Sequence, residues 1–361
     1  MSRLESFARP LGYCAVSLFL LVTTGSGVTA QVEATNQEAP VQIRLTPDKN
    51  TIMSGEPLFI SFDVTNVSGE KLCLVVGNDF LNKLSRPQQF NVSVRTDDRS
   101  YRSIEVPGGG GAVGCEPIEP GEVYSVRPFL PHWVDIEHLG SHRVTVTREM
   151  IFTSYPFSKF KRPKYSMLAE VNTEFTVVKR DEDKWGSVIT ALGSVMLDVS
   201  NPRAVESAMA LASIHDKRVI SYFAEALRQF GHFGFAMGHD TEYMITSRSI
   251  TALATYDDDQ AMDALRTGMK STCDDVRLLV AKALGDSPHS SAIPLLMQMQ
   301  DDNYYFVRIR VAEGLKTVWR TTRGARTTLK KLLNDENEDV RRAAQESLKY
   351  PDIYIDLTSP N

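Results

Sequence analysis

Histidines and carboxylates are concentrated in the stretch HWVDIEHLGSH at residues 132–142. It contains three of the seven histidines, His132, His138 and His142, with two carboxylates between them. Imidazole and carboxylate groups are the ligands that zinc and copper sites use. The spacing matches no metal-binding motif, and we expect His138 in a turn and His142 on a strand, pointing the same way as Val144. We therefore favour a structural role without a cofactor, and a metal site is the alternative.

A second stretch, residues 231–240, combines three glycines with aromatic and ionisable side chains. Its candidate partner-binding residues are His232, Phe233, Phe235 and His239. Because long connections in repeat arrays are often functional, we consider a binding loop in which the histidines and Asp240 are ligands or a base. The alternative is an irregular packed connection whose phenylalanines are buried.

The segment KTVWRTTRGARTTLKK, residues 316–331, is basic in an acidic chain. It has no acidic residue and six cations, namely Lys316, Arg320, Arg323, Arg326, Lys330 and Lys331. A solvated helix face is the ordinary explanation for such a run of charge. The alternative is a docking surface for an acidic partner.

Sequence motifs of the common enzyme classes are absent. A glycine run at residues 108–111 could bind an anion through its N–H groups, but no P-loop lysine follows it. There is no Gly-x-Ser-x-Gly, no His-Glu-x-x-His, and no Gly-x-Gly-x-x-Gly that opens a helix. These absences favour a protein without catalytic residues, while a triad assembled from distant residues stays open.

The apolar pattern of residues 40–180 predicts β-strands. Apolar and polar residues alternate in runs that begin at Val41, Ile60, Phe90, Val144 and Val171. This period is typical of strands with one buried and one exposed face, and turn signals such as residues 54–57 separate them. We predict antiparallel strands in a β-sandwich.

A charged run at residues 180–184 marks a boundary, and we predict a linker at residues 181–186. After it the apolar period changes to that of helices. The unit DDVRLLVAKALG at residues 274–285 recurs along this part of the chain. Inner helices are predicted to start at Val219, Ile245, Val276, Val307 and Val340. Repeats of about 30 residues indicate stacked helix pairs, so we predict an α-solenoid over residues 187–350.

Residues 1–30 have the features of a secretory signal peptide. Arg3 and Arg9 precede or flank an apolar run too short to span a membrane, and small residues near Ala30 offer a cleavage site. We expect a periplasmic or secreted protein with a flexible segment at residues 31–39 and a tail at residues 351–361. The net charge of −5 argues against a dedicated nucleic-acid binder.

Three cysteines remain after removal of the signal peptide. Cys73 and Cys115 both lie in the predicted β region, and an oxidising compartment makes a disulfide between them possible. Cys273 lies at a helix boundary, where a buried thiol behaves as a small apolar side chain. We predict the Cys73–Cys115 pair, although spacing alone leaves other connectivities open.

The segments LTPDKNTIMSGEPLFISFDVTNVSGE, IEPGEVYSVRPFL and HLGSHRVTVTRE occur in this order in residues 40–180. This order resembles the immunoglobulin-like domains of exported bacterial proteins. The resemblance implies an immunoglobulin-like sandwich. The tryptophan expected opposite an antibody-type disulfide has no recognisable counterpart, so the resemblance concerns the architecture rather than the antibody family.

The pattern D-x-x-x-x-V-R-x-x-A-x-x-x-L fits residues 335–348, and it fits residues 302–315 except that Val311 replaces the alanine. It resembles HEAT repeats, especially the short form named after the phycobilin lyases. The resemblance implies that turn aspartates and the arginines after valine form a structural ladder between repeats. The residues concerned are Arg277, Asp302, Arg308, Asp335 and Arg341.

These patterns predict an exported, non-enzymatic scaffold whose helical surface binds a protein partner and which has no cofactor. An acidic protein is the candidate partner. One alternative is a metal-dependent or lyase-like accessory enzyme. The other is a glycan-binding module that uses the β-sandwich, where Trp133 and the region of Tyr101 offer aromatic side chains.

Overall fold

The computed structural model describes residues 39–77, 89–104, 113–136, 138–155, 163–234 and 240–350. The chain divides into two compact units, one ending at Arg180 and one starting at Asp181. The predicted signal peptide, nearly all of the segment at 31–39, the glycine run at 108–111 and the tail at 351–361 lie outside the described residues.

The first unit is built from β-strands in two sheets. Its described strands are β1 (Val41–Pro47), β2 (Thr51–Met53), β3 (Ile60–Asn66), β4 (Leu72–Gly77), β5 (Phe90–Arg95), β6 (Val113–Ile118), β7 (Val123–Val126), β8 (Gly140–Ser154) and β9 (Tyr165–Val178). One sheet has the order β1-β3-β7. The other has the order β2-β9-β8-β4-β6, and β5 also pairs with β8. The prediction of a β region with antiparallel sheets is confirmed.

One strand pairing differs from the purely antiparallel arrangement that we predicted. Strand β2 runs parallel to β9, with Ile52 opposite Val177. After β1 the chain does not fold back on itself as a hairpin, which would make neighbouring strands antiparallel. It joins the edge of β9 in the other sheet instead, so no hairpin dictates the direction of β2.

Side chains from both sheets share one hydrophobic core. The rings of Phe62 on β3 and Phe90 on β5, which belong to different sheets, pack edge to face with centroids 5.2 Å apart. The alternation predicted for β3 is present, since Ile60, Phe62 and Val64 are all at most 1% exposed. Trp133, from the histidine-rich stretch, is also buried in this core.

The second unit is helical throughout its described residues. Its α-helices are α1 (Glu182–Leu197), α2 (Ala204–Ala212), α3 (Ile220–Phe230), α4 (Asp240–Leu253), α5 (Asp259–Gly268), α6 (Asp274–Asp286), α7 (Ala292–Gln298), α8 (Tyr305–Gly314), α9 (Ala325–Leu332) and α10 (Glu338–Lys349). Helices α4, α6, α8 and α10 pack against one another in this order.

The predicted linker at residues 181–186 is wrong, because helix α1 begins within it. The Asp181 carboxylate caps the helix by accepting hydrogen bonds from the N–H groups of Asp183 and Lys184, at 3.1 and 3.3 Å. Trp185 is only 1% exposed. Acidic residues are common both at helix N-termini and in exposed linkers. The run of charge therefore could not distinguish the start of a helix from a linker.

The predicted repeat register coincides with the buried positions of the helical unit. Val219, Ile245, Val276, Val307 and Val340 are each 0% exposed. The helix that contains Ile245 nevertheless begins at Asp240 rather than at Ile245. Its first turn is acidic and largely polar, so it lies outside the apolar pattern that the prediction used.

Candidate protein-binding surface

Two arginines of the repeat motif bridge successive repeats. Arg277 places its Nε 2.7 Å from Oδ2 of Asp302 and its Nη2 3.0 Å from Oδ1. Arg308 has the same relation to Asp335, at 2.7 and 2.8 Å. All four side chains are at most 9% exposed. Such two-point hydrogen bonding between charged groups fixes orientation as well as distance.

These two arginines and Arg341 also hold the turn before their own helix. The Nη1 groups of Arg277, Arg308 and Arg341 donate to the carbonyl oxygens of Ser271, Asp302 and Asp335, at 2.8, 2.8 and 2.7 Å. Helix α10 is the last of the described helices, and Arg341 makes its hydrogen bonds within its own turn. The buried arginines therefore have protein partners on both sides, which is a structural arrangement rather than a ligand site.

The basic segment folds around Trp319. Residues 316–324 form turns and are followed by α9. The guanidinium groups of Arg320 and Arg326 lie 4.1 and 5.6 Å from the centroid of the Trp319 ring. Both distances are in the range of cation–π attraction, which favours Trp over other rings. Two positive charges that are six residues apart in sequence are thereby gathered at one indole.

Helix α10 ends beside this cluster. The Nη1 group of Arg320 donates to the carbonyl oxygen of Tyr350 at 2.9 Å, and Lys316 Nζ lies 4.4 Å from the centroid of the Tyr350 ring. These contacts hold Lys316 and Arg320 in place. Charges that are already positioned lose less conformational entropy when a partner binds.

The remaining cations of the segment differ in exposure and pairing. Arg323, Arg326 and Lys330 are exposed, whereas Lys331 forms an ion pair with Asp301 at 2.5 Å. We call Trp319 together with Lys316, Arg320, Arg323, Arg326 and Lys330 the basic surface. A shallow cavity of about 450 Å³, lined in part by Gly324 and Thr327, lies next to it.

The glycine-rich stretch is described only in part, and Phe235 and His239 lie outside the described residues. The rings of His232 and Phe233 are in contact, with centroids 4.0 Å apart. His232 is exposed and Phe233 is half-buried. The hydroxyl of Ser271 donates to the carbonyl oxygen of Gly231 at 2.5 Å. The described part of this stretch is therefore tied to the turn that precedes α6.

An open cavity of about 600 Å³ lies between the C-terminal ends of α3 and α5, with His232 on its rim. Arg228 and Arg266 line it and are already paired with Glu225 and Asp263. The side-chain hydrogen bond from Arg228 is the main reason why the pKa of Glu225 falls to about 2. Because their charges are compensated, these arginines are weaker attractants for an anion than the exposed cations of the basic surface.

The histidines of the 132–142 stretch divide between two aromatic residues: His138 and His142 contact Tyr101, and His132 contacts Phe129. His142 is 0% exposed, with Nε2 3.0 Å from the Tyr101 hydroxyl oxygen and Nδ1 3.0 Å from the Gly140 carbonyl oxygen. Its ring stacks on Phe175, with centroids 5.2 Å apart. Burial is the main cause of the lowered pKa of His142. Val144 is also fully buried, so the two side chains share a face.

The other two histidines do not complete a ligand set with His142. His132 packs edge to face on Phe129, and His138 packs against Tyr101, with a centroid distance of 6.1 Å. In the part of the chain that the structure describes, no three His, Cys, Asp or Glu side chains are grouped so that they could hold a metal ion.

The predicted disulfide is present and links neighbouring strands. Cys73 on β4 bonds to Cys115 on β6, with Cα atoms 5.5 Å apart. Cys273 is a free, half-buried thiol just before α6. Every described helix is too short or too polar to cross a lipid bilayer.

A family model described as HEAT repeats matches residues 236–316. This match covers α4 to α8 and supports the HEAT-repeat part of the sequence interpretation. HEAT repeats usually mediate protein interactions. A search of curated proteins found no significant match.

Several solved structures show a distant likeness to this chain. Human deoxyhypusine hydroxylase in complex with glycerol is 19% identical over 45% of this chain and 73% of its own, with a TM-score of 0.28. An engineered protein has the same identity and TM-score over 45% and 83%. A sporulation control protein from Bacillus subtilis is 12% identical over 42% and 54%, with a TM-score of 0.21. Scores this low do not define a shared fold.

Two features of the helical surface were missed in the sequence. Trp319 was passed over because the interpretation counted charges, although a Trp amid arginines is itself a signal for cation–π contacts. The consecutive aromatics Tyr304, Tyr305 and Phe306 were also passed over. Phe306 is 41% exposed. Three consecutive aromatic residues directly before the buried Val307 cannot all face the core of one helix, and this was a signal in the sequence for an exposed ring.

Proposed function

We propose that the protein is an exported, non-enzymatic scaffold whose basic surface binds an acidic protein partner. In this proposal the helical unit is a short HEAT-type solenoid and the β unit is an immunoglobulin-like sandwich. The observation that carries it is the stacking of Arg320 and Arg326 on Trp319. Aromatic and arginine side chains held together at a surface are the residues that contribute most to protein interfaces.

The charge of the basic surface supports an acidic partner. The chain carries a net charge of −5, yet the segment at 316–331 contains six cations and no acidic residue. A local field of opposite sign to the whole protein steers partners toward one site and raises association rates. The histidines at 132–142 divide between Phe129 and Tyr101, which does not favour the metal-dependent alternative.

Binding is tested on the full chain with a fluorescein-labelled peptide of alternating glutamate and glycine as the probe. We expect the wild-type protein to raise its fluorescence anisotropy at low salt, and Arg323→Glu with Lys330→Glu to weaken binding by about tenfold. The matched control reverses two exposed cations elsewhere, Lys184→Glu with Lys282→Glu. Equal weakening in both double variants would show that net charge, and not the basic surface, binds the probe.

Export is tested separately by mass spectrometry of the protein isolated from its native cells. Cleavage at the predicted site gives a mature chain that starts at Gln31. Recovery of a chain that still contains residues 1–30 would contradict export by a cleaved signal peptide.

A further inference from the structure

An aromatic cluster lies at the start of α8, in which Phe306 is exposed and Tyr304 and Tyr305 are half-buried. The ring centroids of Tyr304 and Phe306 are 5.3 Å apart, and those of Tyr305 and Phe306 are 4.1 Å apart. Phe306 is 41% exposed although Val307 next to it is completely buried. Packing in the hydrophobic core of the helical unit therefore explains why residue 307 is apolar, but it does not explain the exposed phenylalanine at position 306.

An acidic residue of the preceding repeat lies beside this cluster. Asp275 is in the first turn of α6, which packs between α4 and α8. Partial burial raises the pKa of Tyr304, which directly precedes α8, and of Tyr243 on α4, and in each case the negative charge of Asp275 is the next cause. Asp275 lies in the same first turn of α6 as Arg277. Arg277 is joined through Asp302 to the N–H group of Tyr304, so this turn and the aromatic cluster are neighbours.

The two acidic residues that open α6 differ in their partners. Asp274 is ion-paired with Arg277 at 2.6 Å. Asp275 forms no ion pair or hydrogen bond of its side chain within the described residues. Of these two carboxylates, Asp275 is therefore the one whose charge is not compensated.

The ladder between repeats holds the aromatic cluster in position. Asp302, which binds Arg277 through both carboxylate oxygens, also accepts a hydrogen bond from the N–H group of Tyr304 at 2.9 Å. Because Asp302 and Arg277 are buried, the backbone that carries the three rings is anchored. A site that is ordered before binding loses less entropy when the ligand arrives.

We propose that the acid–aromatic surface formed by Tyr243, Asp275, Tyr304, Tyr305 and Phe306 binds a lysine- or arginine-bearing segment of a partner protein. Ring faces and an uncompensated carboxylate both attract a cation, whereas an anion would be repelled by Asp275. The inference goes beyond the proposed function, since it assigns a second surface of opposite charge to the helical unit.

The test uses the full chain and a fluorescein-labelled peptide of twelve residues in which lysine alternates with glycine, with the corresponding glutamate peptide as the comparison. We expect the lysine peptide to bind the wild-type protein and Asp275→Asn to weaken that binding by about five- to tenfold. Phe306→Ala should weaken it by a similar factor. The matched control is Asp286→Asn, which removes an exposed carboxylate at the other end of α6.

Circular dichroism establishes that each variant is folded, and Asp275→Asn, which preserves side-chain shape, carries the test if Phe306→Ala does not fold. Equal binding by Asp275→Asn, Asp286→Asn and the wild type would overturn the proposal. Sedimentation that shows a dimer lost in Asp275→Asn would also overturn it, since the occupant would then be a second copy of this chain. Neither outcome depends on the glutamate-peptide test of the basic surface.

Discussion

Arg308 and Asp335 form a two-point ion pair between successive repeats, with Nε 2.7 Å from Oδ2 and Nη2 2.8 Å from Oδ1. Their side chains are 8% and 9% exposed. Burial opposes ionisation of Asp335, but hydrogen bonds from Arg308 and from the N–H group of Asn337 outweigh it and lower the pKa. The carboxylate is thus charged in the folded protein, and removal of either partner leaves a buried charge without compensation.

Asp335→Asn is expected to reduce the free energy of unfolding by about 3 kcal/mol, because asparagine preserves shape but removes the charge opposite Arg308. Urea denaturation followed by circular dichroism measures this loss. The control is Asp339→Asn, whose exposed partner is Arg342. Since exposed pairs contribute little, the control should change stability by less than about 1 kcal/mol. Equal losses in the two variants would contradict a special role for the buried pair.

Gly314 on α8 lies close to the backbone of Gly285 on α6. A Cβ atom at this position would lie 2.6 Å from Leu296 Cδ2 and 3.1 Å from the Cα of Gly285. Alanine is favoured over glycine within a helix. The new Cβ would nevertheless meet the backbone of Gly285, which cannot move aside as the end of a flexible side chain can. We expect Gly314→Ala to destabilise the protein by about 1–3 kcal/mol in urea denaturation.

The control for this contact is Gly186→Ala in α1. Its new Cβ would meet only the Nη1 atom of Arg218, at 3.6 Å, which is an ordinary contact with a flexible side chain. The helix preference of alanine should then leave stability unchanged or raise it by up to about 1 kcal/mol. If Gly314→Ala behaved like Gly186→Ala, the helices would not be in close contact at Gly314.

The repeat register was predictable from sequence, whereas the helix boundaries were not. Val276, Val307 and Val340 had to be buried because a helix pair can cover its apolar stripe only by stacking on its neighbours. Helix α4 begins at Asp240, ahead of the apolar pattern, because acidic residues suit a first turn without being part of any buried face. Hydrophobic periodicity carries no information about such turns.

The charges of the basic surface were visible in sequence, but their arrangement was not. Arg320 and Arg326 meet at Trp319 because the chain turns between them at Gly324, whose φ of 87° is in the left-handed region that favours glycine. His142 likewise meets Tyr101, a residue 41 positions away in sequence. Contacts set by turns and by sheet pairing depend on the tertiary fold, which local spacing does not reveal.

The disulfide between Cys73 and Cys115 closes a loop with a sequence separation of 42. Cross-linking a loop of this length restricts the unfolded chain, so we expect Cys73→Ala with Cys115→Ala to lose about 2–4 kcal/mol of stability. Urea denaturation with and without a reducing agent measures the effect. Reduced wild-type protein should be as stable as the double variant. The control Cys273→Ser keeps the disulfide, so reduction should lower its stability by the same amount as in the wild type. A wild-type protein unaffected by full reduction would contradict this role.

The buried imidazole of His142 makes the stability of the β unit depend on pH. Burial lowers its pKa, so the neutral form is favoured in the folded state and the unfolded chain takes up a proton first as the pH falls. The contribution of His142 is therefore complete above the ordinary histidine pKa of about 6.5 and is lost progressively below it. We expect the wild-type protein to be less stable to urea at pH 5.5 than at pH 7.5.

On going from pH 7.5 to pH 5.5, the His142→Phe variant should lose less of its free energy of unfolding than the wild-type protein does. Phenylalanine preserves the ring that stacks on Phe175 but has no proton to exchange, although it gives up the contact with the Tyr101 hydroxyl and so lowers stability at both pH values. The control His215→Gln removes an exposed histidine of the helical unit and should retain the full wild-type difference. If His142→Phe retained that difference as well, the pH dependence would arise from other groups.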